Sequence, residues 1–164
     1  MAIVRCGPPG RRCQACVAIM MGMPLGESTD CVLRHYRFIM GRLLIIDDEE
    51  DIARLIARAG AMSGFETRST SDVQVFLELT ASWQPNVATI DLNMPELDGV
   101  QVLRQMAERG CRSHIIIVSG MDTRTIQTVT RLGEAQGLRM AKTLIKPFRV
   151  SDIRAVLEAL LHMP

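Results

Sequence analysis

Leu43-Leu44-Ile45-Ile46-Asp47-Asp48 is an apolar run of four that stops abruptly on two carboxylates. A continuous aliphatic stretch of this length suits a strand buried on both faces. The pattern returns along the chain. Val87-Ala88-Thr89-Ile90 runs into Asp91, Ile115-Ile116-Ile117-Val118 into Ser119, and Thr143-Leu144-Ile145 into Lys146. Phe65, Thr67 and Ser69 alternate as a weaker strand after the first. Between the runs, apolar residues recur at helical spacing. Ile52, Leu55, Ile56 and Ala59 open the series, and Ile153, Val156, Leu157 and Leu160 close it. Ser71 and Asp72 are candidate caps for the second helix, and Ser151 for the last.

Five strands alternating with five helices predict an α/β fold. It is a doubly wound five-stranded parallel sheet with right-handed crossovers and helices on both faces, a three-layer αβα arrangement. The 164 residues leave room for one such domain, placed here at 41–164. Residues 1–40 differ in composition. They carry Cys6, Cys13, Cys16 and Cys31, together with five basic and two acidic side chains, and no sustained period. They are read as a poorly ordered N-terminal extension. Cys13 and Cys16 with Cys31 and His35 mimic zinc-ligand spacing, but Cys6 is left over and no regular core accompanies them.

Composition narrows the functional classes. A formal net charge of +1 offers no field for gripping nucleic acid. No apolar run approaches the roughly eighteen residues of a membrane span. An odd cysteine count does not make a disulfide framework. The expectation is a cytoplasmic protein with reduced thiols, without a nucleic-acid or membrane partner, and with no further domain after the last helix.

In an open parallel sheet, ligands bind beyond the carboxyl ends of the strands. Asp47, Asp48, Asp91, Ser119 and Lys146 are therefore predicted to converge. Ionised carboxylates held together repel and call for a cation. Their hard oxygens, with no His or Cys nearby, favour magnesium over zinc. One aspartate, already ionised at neutral pH, can then attack phosphorus without a general base. Ser119 and Lys146 can donate to the incoming phosphate oxygens. Each residue alone has a plainer reading. Asp47-Asp48 could simply favour a helix N-terminus, and Asn93 and Asp98 could be turn formers around Pro95. Lys146 is one of two lysines against seventeen arginines, which argues against surface filler.

The ordered set Asp47-Asp48, Asp91-Leu92-Asn93-Met94-Pro95 with Asp98-Gly99, Ser119-Gly120 and Lys146-Pro147-Phe148 resembles the receiver domain of two-component response regulators, the CheY type. The resemblance covers roughly residues 41–161 and implies strand order 2-1-3-4-5. It implies that Asp91 accepts a phosphoryl group from a histidine kinase or histidine phosphotransfer protein. Asp48, Asp91 and the backbone carbonyl of Asn93 would ligate Mg2+, with Asp47 acting through water. Ser119 and Lys146 would hold the phosphoryl group, and Lys146-Pro147 would be cis. Asn93 and Met121 stand where the family tunes dephosphorylation. The implied protein is a phosphoacceptor, with at most self-phosphotransfer and autodephosphorylation. It signals to an unknown downstream protein through its helix 4–strand 5–helix 5 face. Two departures matter: Thr143 stands where the family usually has an inward-turning aromatic, and the stretch between Ser119 and Lys146 is about one helical turn longer than usual. A magnesium-dependent aspartate-nucleophile phosphohydrolase is the first rival, but it would want Asp where Asn93 stands. A degenerate receiver working without phosphorylation is the second.

Overall fold

The computed structural model describes residues 41–94 and 99–161; the cysteine spacing of the extension, and Pro95 and Asp98, lie outside them. In chain order the elements are β1 (Gly41–Ile46), α1 (Glu50–Met62), β2 (Phe65–Thr70), α2 (Val73–Ser82), β3 (Val87–Asp91), α3 (Gly99–Glu108), β4 (His114–Ser119), α4 (Thr123–Ala135), β5 (Arg139–Ile145) and α5 (Val150–Leu161). Among the described residues all the strand pairs are parallel, in the order β2-β1-β3-β4-β5. The α/β doubly wound fold expected from the alternation is the fold found.

The central strands are buried on both sides because their side chains feed two cores in alternation. Leu43, Ile45, Ile116 and Val118 pack with Ile56 of α1 and with Ile153 and Leu157 of α5. Leu44, Ile46, Ile115 and Ile117 face Phe76 and Leu77 of α2, Leu103 and Met106 of α3, and Val129 of α4. This sandwich excludes water from the sheet and leaves its ends as the places where polar chemistry can reach solvent. Gly60 lets α1 approach closely, since a Cβ there would lie 2.6 Å from the Leu43 side chain.

Local chemistry sets the helix starts. Asp72 caps α2 by accepting from the backbone N–H groups of Gln74 and Val75 at 2.7 and 3.0 Å. Ser151, expected to cap the last helix, instead lies inside α5. Asp152 does the work there by reaching back to accept the Arg149 N–H at 2.8 Å, the return half of a capping box. β5 begins four residues earlier than its aliphatic core suggested. Its ladder with β4 is irregular, stepping from Met140 to Lys142 across adjacent residues of β4. Among the described residues, no helix is long and apolar enough to cross a membrane.

Candidate functional site

The register of the sheet brings distant strand ends level. Ile46 pairs with Ile90, Ile90 with Ile117, and Ser119 with Ile145. The next residue of β1, β3 or β5 in each case is a charged one: Asp47, Asp91 or Lys146. Backbone hydrogen bonds continue the ladder past the strands, from the Lys146 N–H to the Ser119 carbonyl at 2.9 Å and from the Leu92 N–H to the Val118 carbonyl at 3.3 Å. The main chain alone therefore holds these groups at one edge.

The Lys146 ammonium lies at the centre of the cluster. It donates to Asp91 Oδ2 at 2.8 Å, to Asp47 Oδ2 at 3.2 Å and to Glu49 Oε1 at 2.8 Å. An ammonium has three donors, and here each meets a carboxylate. The Lys146-Pro147 peptide is cis, as the family resemblance implied. Burial by itself would lower the Lys146 pKa. The hydrogen bonds to Asp91 and Glu49 and the charges of Asp47 and Asp91 outweigh it, so the ammonium is held above the ordinary lysine range.

Asp47 and Asp91 are almost wholly buried, whereas Asp48 is exposed. Burial pushes the Asp47 carboxyl above its ordinary value, and the neighbouring charge of Asp91 adds to the rise. The Glu49 N–H at 2.9 Å and the Lys146 ammonium pull the other way. Asp91 Oδ1 accepts the Asn93 N–H at 2.8 Å. Asp47, Asp48 and Asp91 each offer a carboxylate oxygen within 4.8 Å of the others. An octahedral Mg2+ has ligands at about 2.0–2.1 Å, so opposite oxygens stand roughly 4 Å apart. An all-oxygen set on this scale fits that hard ion.

Ser119 is fully buried at the end of β4. Its hydroxyl is turned toward Asn93 rather than toward Asp91 or Lys146. It donates to Asn93 Oδ1 at 2.8 Å and accepts the Met121 N–H at 3.0 Å. All the residues picked from the strand ends thus gather at one edge, with Asn93 bridging Asp91 and Ser119. Glu49 was missed. Its place directly after the Asp47-Asp48 pair was the available signal. As the N-cap of α1 it makes no side-chain cap bond, so its carboxylate is free to reach Lys146.

The response regulator receiver domain profile matches residues 43–158 of the chain. The chain belongs to the response regulator receiver family. It is therefore a receiver domain of two-component signalling. Regulatory protein AtoC of Escherichia coli K12 is 29% identical over 125 residues, covering 76% of this chain and 26% of that protein. Response regulator MprA of Mycolicibacterium vanbaalenii is 28% identical over 121 residues, covering 74% of this chain and 50% of its own length. The chain thus spans between a quarter and half of these relatives. The receiver domain of Francisella response regulator 1452 superposes with a TM-score of 0.61 at 26% identity, covering 74% of this chain and 96% of that one. A response regulator from Colwellia psychrerythraea shares the fold, with a TM-score of 0.67 at 24% identity over 74% of this chain and 97% of that one.

The helix that follows Ser119 in this receiver starts on a charge. Asp122 caps α4 by accepting from the Thr125 hydroxyl at 2.6 Å and from the N–H groups of Arg124 and Thr125 at 2.9 and 3.1 Å. The Thr125 hydroxyl, followed by the backbone bonds, holds its carboxyl below the ordinary value of 3.8. The stabilisation from this charge is therefore complete above 3.8 and is lost as pH falls through the lower folded value. Urea midpoints of the wild type and Asp122→Asn should differ most at neutral pH and converge on acidification below that window. A gap that stays constant with pH would show that the charge plays no part.

Proposed function

We propose that Asp91 is the phosphoacceptor of this receiver and that phosphorylation switches a protein-binding surface. The observation that carries this reading is the placement of Lys146 Nζ 2.8 Å from a buried Asp91 that also belongs to the three-carboxylate cluster. In the transfer, an Asp91 carboxylate oxygen forms a bond to phosphorus. The phosphorus–nitrogen bond of a donor phosphohistidine breaks, and the imidazole leaves with the bonding pair. Lys146 balances the charge on the acceptor side, and the Asn93 N–H keeps the carboxylate oriented. Asp48, Asp91 and the Asn93 carbonyl would hold Mg2+, with Asp47 acting through water. The ion, when bound, would offset the negative charge gathered by three carboxylates and a phosphoryl group.

The donor is a histidine kinase or a histidine phosphotransfer protein. A groove of about 360 Å³ lined by Glu49, Ile52, Leu55, Lys146, Pro147 and Phe148 supports docking there, since its Lys146 ammonium is bonded to Asp91. The responding surface is the face of α4, β5 and α5, because Ser119 and Lys146 stand at its root. Ile145, 52% exposed, and Val150 at the start of α5 supply apolar area there. Carrying such a surface from about 1:99 to 99:1 takes roughly 5.5 kcal/mol of differential binding. A dianion gripped by an ammonium, a hydroxyl and a divalent ion is a source of that size. Thr143, half-buried in β5, replaces the family's usual aromatic, so the coupling must run through other side chains.

Incubation of the full chain with acetyl phosphate and Mg2+ is expected to add one phosphoryl group that hydroxylamine removes, and chelation by EDTA should prevent the addition. Steady turnover of p-nitrophenyl phosphate would favour the phosphohydrolase rival, whose general acid is missing at Asn93. A chain unperturbed by Mg2+ plus beryllofluoride would favour a receiver that works without phosphorylation.

A further inference from the structure

The Ser119 hydroxyl carries one proton, and in this structure that proton is committed. It is donated to Asn93 Oδ1 at 2.8 Å, and the same carbonyl oxygen accepts the Gly120 N–H at 3.3 Å. The Ser119 oxygen is in turn tied to the Met121 N–H. The main chain of Asn93 is bonded to Asp91 Oδ1. Asn93 therefore links the phosphoacceptor carboxylate to Ser119 and Gly120, and Met121 is tied in through the Ser119 oxygen.

We infer that the Asn93 side chain is a latch that holds the β4–α4 junction in its unphosphorylated position by occupying the Ser119 proton and the Gly120 amide. The inference rests on the proposed phosphorylation of Asp91. A phosphoryl oxygen is an acceptor, and so is Asn93 Oδ1. A single hydroxyl proton cannot serve both well. The charged acceptor makes the stronger bond, so phosphorylation pulls Ser119 away from Asn93. Met121, whose N–H donates to the Ser119 oxygen, moves with it, and Gly120 between them in the chain is drawn off Asn93 Oδ1. Asn93 is exposed, so water takes over its carbonyl once Ser119 departs. Ser119 is fully buried, so no water competes for its proton beforehand. The latch thus opposes phosphoryl binding by the worth of about one neutral hydrogen bond. Its release also ties the chemistry at Asp91 to the start of α4. Asn93 acts as a positioning residue, working through Ser119.

The test uses the full chain at saturating Mg2+, with beryllofluoride as the phosphoryl analogue and amide NMR shifts as the readout. Asn93→Ala is expected to bind beryllofluoride about 3- to 10-fold more tightly than wild type. Its Gly120 and Met121 amides should already be displaced part-way toward their bound positions before the analogue is added. In a Ser119→Ala background the same substitution should give no gain, since the proton in dispute is gone. Unchanged or weaker binding by Asn93→Ala, with those two amides at their wild-type positions, would overturn the latch. So would a gain that survives in the Ser119→Ala background. A wild-type chain that fails to bind beryllofluoride at all would overturn the phosphoacceptor reading itself, and the latch with it.

Discussion

Asp91→Asn is expected to reduce phosphate incorporation from acetyl phosphate by about 10³-fold or more, to the background of the assay. The substitution changes little besides the nucleophile. A carboxamide has nearly the shape of a carboxylate, and its oxygen can still accept the Asn93 N–H. It has no anionic oxygen to attack phosphorus, and it gives Lys146 one charge fewer to face. Removing one of the three clustered carboxylates also weakens cation binding, so the comparison belongs at saturating Mg2+. Intact mass after acetyl phosphate treatment reads the effect, and hydroxylamine lability identifies the acyl phosphate. Undiminished labelling of the variant would move the acceptor elsewhere and remove the chemical role assigned to this edge of the sheet.

Phe76→Ala should cost about 3–5 kcal/mol of folding stability. Phe76 lies on α2, fully buried among Leu44, Ile46, Leu77 and Ile90 in the core that α2, α3 and α4 close over the sheet. Deleting its ring leaves a void that a parallel sheet with both faces covered cannot collapse to fill. Stability in this size class is about 5–15 kcal/mol, so the loss is a large share of the total. With a urea dependence of about 1–3 kcal/mol per molar, the midpoint should fall by at least 1 M. Val75→Ala, one residue away but 42% exposed, should stay within about 0.5 kcal/mol of wild type. Similar midpoints for the two variants would mean that this core is not packed as described.

Strand periodicity is a strong signal when both faces of a strand are buried, because four aliphatic residues in a row have few other uses in a chain of average composition. That is why β1, β3 and β4 were legible from their side chains, together with the polar residue ending each one. β5 was read only at its aliphatic end. Its first half carries Arg139, Ala141 and Lys142 on exposed positions of an edge strand, where pairing with β4 and not burial makes the strand. The last helix was given its cap by residue type at Ser151. The backbone geometry instead uses Asp152, one residue further on, whose carboxylate reaches back to the Arg149 amide.

The candidate site divides along the same line. Residue chemistry and order along the chain were enough to name Asp47, Asp48, Asp91, Ser119 and Lys146, since a charged or hydroxyl residue at the carboxyl end of a buried parallel strand has few structural reasons to be there. Which of them touch could not be read from order. Lys146 meets Glu49 across 97 positions and Asp91 across 55, and Ser119 meets Asn93 across 26. Such partnerships depend on strand register to within one residue and on how far an uncapped side chain can swing. Periodicity is a local property of the chain and so specifies the elements. A hydrogen bond between strand ends is a property of the assembled sheet, and only the packed tertiary structure decides which acceptor each donor finds.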